Sequence, residues 1–240
     1  MIEGKTLTAN RIDTLGQSFY FFMSLLVAGV VVYGFSQTIN EGLIHPSSPR
    51  PLILYFHAPI FAGWVVFFLA QSALIRTSNV RLHRQVGWFG LAFGLAMPFL
   101  GIATAIAMAR FNRQHGSPNE AEFLIVLLFD MIAFATAFGL AFYWRTKPEF
   151  HRRLMLIATC SLAGAAFARF HTFFVPHNWF YAGVDVLILF GVTRDLIVTK
   201  RIHSVYLYGL PAMMLGQIVA MHTYLGASPV WLRIAHRLLG

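Results

Sequence analysis

Long apolar stretches separated by short polar segments dominate this sequence. Each stretch is about 20 residues long and lacks the alternation of a barrel strand, which indicates membrane-spanning α-helices. We therefore predict an all-α, polytopic membrane helix bundle that forms a single integral membrane domain over residues 1–240. The stretches give seven transmembrane helices, at about residues 15–37, 52–75, 86–109, 121–144, 154–174, 179–198 and 204–226.

The composition agrees with a chain surrounded by lipid. Hydrophobic residues make up 58% of it and charged residues only 11%, whereas soluble domains carry about 25% charged residues. The first apolar stretch begins near Leu15 and has no convincing small-residue cleavage site, so we expect a retained helix and not a signal peptide. The single cysteine, Cys160, lies within a predicted helix, which excludes a disulfide framework and a cysteine-based metal site.

The net charge of +9 is placed in a way that argues against nucleic-acid binding. Nearly all Lys and Arg residues lie between the apolar stretches, as in the cytoplasmic loops of membrane proteins. With seven spans, eleven of the 18 Lys and Arg residues fall on the side of the N-terminus and five on the other side. This bias predicts a cytoplasmic N-terminus and an external C-terminus. Residues 227–240 could lie along the membrane interface as a short amphipathic helix.

Several ionisable side chains fall inside the predicted spans, within roughly 5–14 Å of the external surface. They are His57, Asp130, Arg169, His171, Asp185 and His222. A guanidinium in a membrane costs roughly 2.5–3.5 kcal/mol on insertion scales and normally has a partner. Helical periodicity places Arg169 on a stripe of small and polar residues that suits close packing. We therefore expect Arg169 to point inward and to form a structural ion pair with Asp185 or Asp130.

The histidines differ in the positions that helical periodicity gives them. His57 begins a face with a 4-3-4-3 spacing, which predicts the interior seam of its helix; this face continues with Phe61, Trp64, Phe68 and Gln71. His171 lies about 200° around its helix from Arg169, by the 100° turn per residue, and could simply sit among lipid headgroups. His222 is close to a helix end. We expect the three histidines that begin helices on the cytoplasmic side to be exposed and free of metal: His83, His151 and His203.

Three functions fit such a cluster. In a redox or electron-transfer protein, His57 with His171 or His222 would ligate haem b, and Arg169 would neutralise a propionate. In a metal-dependent intramembrane hydrolase, His57, Asp185 and His222 would hold a divalent metal with an open position for water. This ranks lower because no paired-histidine motif is present. In a transport, receptor or assembly protein, the cluster would be structural or proton-conducting.

Three segments together resemble a widespread group of bacterial multi-pass membrane proteins of largely unknown function. They are FHAPIFAGWVVFFLAQSALI, LHRQVGW and EFHRRLMLIATCSLAGAAFAR. The group's pattern is matched by His57, Gln71, His83-Arg84-Gly87, His151-Arg152-Met155 and Arg169, and it covers roughly residues 52–170. The resemblance implies a bacterial inner (plasma) membrane. The redox hypothesis, in turn, implies a membrane redox partner. The layout is also similar to b561-type dihaem cytochromes in size and helix number, but Gln71 stands where those have a second histidine pair, which argues against two haems.

Overall fold

A computed structural model describes the backbone of residues 2–170 and 178–240 and the side chains of residues 18–170 and 178–240. In these ranges the protein is entirely helical, without a β-strand. The helices are α1 (Ile2–Ser36), a single π-helical turn (Asn40–Ile44), α2 (Leu52–Arg76), α3 (Val80–Gln114), α4 (Glu120–Tyr143), α5 (Pro148–Leu162), α6 (Gly164–Phe167), α7 (Phe180–Val198), α8 (Ser204–Leu225) and α9 (Pro229–Leu239).

Five of these helices are long and apolar enough to cross a membrane. They are α2, α3, α4, α8 and the segment Ser18–Ser36 of α1. Large apolar side chains such as Phe89 and Phe99, 76% and 77% exposed, project from the bundle. Such an apolar perimeter suits lipid and not water. The predicted all-α membrane fold is confirmed at this level.

The predicted fifth span, residues 154–174, is not one continuous helix. α5 ends at Leu162, a tight turn at Ala163 follows, and α6 lasts only four residues. Residues 171–177 lie outside the described residues. The predicted sixth span is helical as α7, but α7 carries three charged residues and is not among the five apolar helices.

α4 is the central helix, with α3, α5, α8 and α9 packed around it. Beside it, Trp64 of α2 is completely buried. Phe134 and Phe138 of α4 meet the Trp64 ring edge-on, at centroid distances of 5.2 and 5.6 Å. Edge-to-face aromatic pairs stabilise such cores beyond their buried area. Trp64, Phe68 and Gln71 are the buried residues of α2, which confirms the predicted seam.

α3 and α4 approach closely at Gly94. A Cβ atom at this position would lie 2.3 Å from the ring of Phe138. A larger residue would displace the Phe138 ring, so the glycine makes room for this ring between the two helices.

The amphipathic segment predicted at residues 227–240 forms α9, with Pro229 at its first turn. Its apolar side packs on α3 and α4 through Trp231, Ala235 and Leu239. The Trp231 indole N–H donates to the Ala121 carbonyl at 2.9 Å. The other side of α9 carries exposed Arg233 and Arg237.

Three connecting segments, residues 77–79, 144–147 and 199–203, meet at one end of the bundle, which we term the basic end. The His83 and His151 rings lie 6.3 Å apart, centroid to centroid, and the Phe150 and His203 rings 4.7 Å apart. His83, His151 and His203 are each half-buried. The prediction that they are exposed is therefore wrong, because the helices that they begin converge there.

A buried ion-pair network joins α5 to α7 at the basic end. Arg153 binds Asp195 with two hydrogen bonds, Nε to Oδ2 at 2.8 Å and Nη2 to Oδ1 at 2.6 Å. Asp195 also accepts from Arg194 at 3.0 Å and from the His203 backbone N–H at 3.4 Å. Arg153 is 1% exposed and Asp195 is fully buried. A buried carboxylate with this many donors is electrostatically satisfied.

Glu149 extends this network to the surface. It accepts from Arg153 at 2.6 Å and from Arg152 at 2.5 Å. Partial burial acts to raise the pKa of Glu149, but the hydrogen bonds and charges of these two arginines hold it below its ordinary value. The ring of Tyr20, from α1, lies under the guanidinium groups of Arg152 and Arg194. The network thus ties α1, α5 and α7 together.

Candidate functional site

A second set of buried polar groups joins α4, α7 and α8 towards the opposite end of the bundle. The Tyr181 hydroxyl donates to Asp130 Oδ1 at 2.8 Å, and Gln217 Nε2 donates to Asp185 Oδ1 at 3.0 Å. Tyr181 and Asp185 stand one turn apart on the same face of α7. We term these four residues the carboxyl chain.

The local sequence explains why Asp130 is enclosed. Its neighbours on α4 are apolar, and Asp130 itself is 8% exposed. Gly164, at the start of α6, brings the backbone against it: a Cβ there would lie 3.6 Å from Asp130 Oδ2 and 3.7 Å from the Tyr181 ring. The turn that interrupts the predicted fifth span therefore covers the Asp130–Tyr181 pair.

The described residues place no cation on either carboxyl group of the carboxyl chain. The ion pairs formed within the described ranges all involve Glu149 or Asp195. Asp130 and Asp185 are instead bonded by a phenol and a primary amide, both neutral groups. Ionised, such carboxylates would be uncompensated charges in a helix bundle, which are expensive.

The predicted ion pair of Arg169 with Asp185 or Asp130 is not formed among the described residues. Arg169 Nε donates to Thr38 Oγ1 at 3.0 Å, and its Nη1 donates to the Ala165 carbonyl. The guanidinium also lies 4.2 Å from the Phe35 ring centroid. The helix whose periodicity supported the prediction ends at Leu162. That periodicity therefore does not extend to Arg169, whose contacts are made with Thr38 and Phe35.

His57 is half-buried on the seam of α2. Its ring stacks on that of Phe61, with centroids 3.9 Å apart. Within the described ranges, its Nδ1 atom is buried without a hydrogen-bond partner. The charge of Arg169 acts on it, so the structure does bring these two predicted residues near one another.

The remaining predicted ligands do not gather around His57. His222 is exposed in the last turn of α8, and His171 lies outside the described residues. Within the described part of the chain, no three His, Cys, Asp or Glu side chains are placed to hold a metal ion. The predicted set of His57, Asp185 and His222 is thus not assembled there as a three-ligand centre.

Sequence reasoning missed Tyr181 and Gln217, which complete the carboxyl chain. Tyr181 was detectable as the residue four positions before Asp185, on the same helix face. Gln217 lay at mid-depth in a predicted span, where a buried amide requires a partner. Neither signal specifies which carboxyl group is contacted, since that depends on how α4, α7 and α8 pack.

Comparison of the chain with protein-family models, with curated proteins and with solved structures found no match. The function must therefore be argued from the geometry of the site.

Proposed function

We propose that this protein is a proton-coupled transport protein of the bacterial inner membrane, and that the carboxyl chain is its proton-binding site. The proposal includes seven spans, with α7 and the interrupted segment around α5 and α6 completing the five apolar helices. In this proposal the basic end of the bundle faces the cytoplasm. The observation that carries it is Asp130, a carboxyl group enclosed by the bundle and bonded, among the described residues, only to the Tyr181 hydroxyl.

An uncompensated charge is energetically unfavourable inside a membrane. Asp130 can avoid an uncompensated charge by binding a proton, since no cation is placed to pair with it in the described residues. Carboxyl groups of this kind inside membrane helices are characteristic of proton relays in pumps and transporters.

A buried proton-binding group also needs a route by which protons reach it from outside the bundle. Asp185 is half-buried whereas Asp130 is buried, so the two carboxyl groups differ in their access to the exterior of the bundle. Tyr181 can both donate and accept a hydrogen bond; it contacts Asp130 and lies one turn from Asp185 on α7. In the proposed path, a proton taken up at Asp185 reaches Asp130 through the Tyr181 hydroxyl once that hydroxyl accepts a hydrogen bond from Asp185, and the reverse movement releases it.

Proton flux into liposomes tests this proposal. The full chain is reconstituted with a pH-sensitive dye inside, and a potassium diffusion potential drives protons. We expect flux above that of empty liposomes, and at least a tenfold reduction in Asp130→Asn. The matched control is Glu122→Gln, which changes a carboxyl to an amide on the same helix outside the carboxyl chain and should leave flux unchanged. Flux equal to that of empty liposomes, or an unaffected Asp130→Asn variant, would overturn the proposal.

A redox function with haem or a metal remains a second candidate because of one observation, the unpartnered Nδ1 of His57. The described residues offer this imidazole and the nearby Arg169 for a haem and its propionate. An optical spectrum after expression with haem supply distinguishes the candidates. A Soret band that His57→Ala abolishes supports haem, and its absence in the unaltered protein excludes it. The hydrolase alternative has no comparable support.

A further inference from the structure

The two half-buried histidines His83 and His151 at the basic end belong neither to the carboxyl chain nor to the ion-pair network. His83 is in the first turn of α3 and His151 in the first turn of α5. Their ring centroids are 6.3 Å apart and their planes are inclined by 76°. A metal ion bonded to two imidazole nitrogens at about 2.0–2.1 Å holds the rings at a comparable separation of about 5–6.5 Å.

The hydrogen bonds of His151 determine which of its nitrogens is free. Its Nδ1 lies 2.9 Å from the carbonyl oxygen of Ala141, on α4. A carbonyl oxygen only accepts, so this Nδ1 carries the proton, and Nε2 carries the lone pair of the neutral ring.

His83 has the complementary arrangement. Among the described residues, its Nδ1 is buried without a hydrogen-bond partner. The tautomer with the proton on Nε2 leaves a lone pair on this Nδ1. The Gln71 side chain, on α2, is also buried, and neither of its amide atoms has a partner within the described part of the chain.

The His151 ring is thus held by a backbone carbonyl through Nδ1, and it can offer the lone pair of Nε2. This is the usual outer-shell arrangement of metal-bound histidine, in which the second N–H is fixed by a carbonyl or a carboxylate. The His83 ring offers its buried Nδ1, which has no hydrogen-bond partner among the described residues. The neighbouring charge of Arg152 is balanced by Glu149, at 2.5 Å. His203, the third histidine of this end, is engaged differently, since its Nδ1 accepts from the Val205 N–H and caps α8.

We propose that His83 and His151 form a two-imidazole binding site for a transition-metal ion at the basic end, separate from the carboxyl chain. Imidazole ligands suit Zn²⁺ and Cu²⁺, and water would complete the coordination. The site joins the first turns of α3 and α5, so a bound ion would fix the distance between them.

Zn²⁺ binding to the full chain in lipid nanodiscs tests this site, measured by calorimetry. We expect one Zn²⁺ per chain, and at least a tenfold weaker affinity in both His83→Ala and His151→Ala. His115→Ala, which removes an exposed histidine from the opposite end, is the control and should bind as the unaltered protein does. His83→Cys supplies another metal ligand at the same place and should restore binding.

Electron paramagnetic resonance of the unaltered protein does not depend on how well a variant folds. Its Cu²⁺ form should show two nitrogen ligands. In His83→Ala, provided that it folds, the number should fall to one. The proposal is overturned if the unaltered protein binds neither ion, or if both alanine variants bind Zn²⁺ with unchanged affinity. If Zn²⁺ does not bind at this site, proton flux through the carboxyl chain is still expected. The two proposals are therefore tested separately.

Discussion

The buried acids of this bundle are of two kinds, and the difference lies in their partners. Asp195 at the basic end is fully buried, yet two arginines and a backbone N–H bond to it. Asp130 is almost as buried, but the described part of the chain gives it a single neutral donor, the Tyr181 hydroxyl. A carboxylate held by cations has little reason to change its charge, whereas one held by a phenol can exchange a proton. The comparison fits a structural role for the ion-pair network and the proton-binding role that we propose for the carboxyl chain.

Removing the charge of Asp195 is the strongest way to test the first half of this comparison. Asp195→Asn leaves Arg153 buried without its bidentate partner, and breaking a buried pair in this way typically costs about 3–5 kcal/mol. We expect a loss of this size in the free energy of unfolding, measured in mixed detergent micelles. A loss below about 1 kcal/mol would mean that the network does not hold α5 to α7. Replacing both partners, as in Arg153→Met with Asp195→Leu, should recover part of the loss.

The same chemical change at Asp130 should have a much smaller effect on stability. An asparagine can still accept the hydrogen bond of Tyr181, and a typical hydrogen bond contributes about 0.5–1.5 kcal/mol net. We therefore expect Asp130→Asn to change the free energy of unfolding by about 1 kcal/mol or less while it abolishes proton flux. If Asp130→Asn unfolds the protein as readily as Asp195→Asn does, the distinction between scaffold and reactive site fails.

Replacement of Glu149 should have the smallest effect on stability, and this effect should depend on pH. Its pKa is lowered in the folded protein, so the stability that it contributes is present above its ordinary pKa of 4.5 and is lost as the pH falls through the lowered value. Because Glu149 is 52% exposed, Glu149→Gln should cost only a few tenths of a kcal/mol near neutral pH.

Unfolding curves at several pH values check this prediction. The difference between the unaltered protein and Glu149→Gln should shrink as the solution is acidified below pH 4.5. A difference that grows on acidification would contradict the assigned role of Glu149.

Periodicity alone predicted the parts of the fold that depend on one helix at a time. The apolar runs located α2, α4 and α8 to within one or two residues, and the spacing from His57 identified the buried seam. The break after Leu162 was not predicted, since the residues on both sides of it are apolar and helix-compatible. Arg169 was consequently assigned to the wrong neighbour.

Contacts between helices were the second feature that the sequence pattern could not predict. Arg153 is 42 residues from Asp195 in sequence, and nothing in the pattern of either helix indicates that they face one another. Arg153 also follows Arg152 in a basic loop, where both residues resemble ordinary interfacial cations. The pairing of Tyr181 with Asp130 is equally non-local. Such pairs are determined by packing, for which helical periodicity supplies only the face and not the neighbour.

The packing of α1 against α6 has a consequence for biogenesis. Thr38 and Arg169 are separated by 131 positions, and a Cβ at Gly34 would lie 2.5 Å from the Ala166 carbonyl oxygen. Synthesis proceeds from the N-terminus, so the first helix enters the bilayer long before the segment that completes its surface exists. During that interval Gly34 and Thr38 must face lipid or a membrane chaperone. Closure of α1 onto α6 is therefore a late step of assembly.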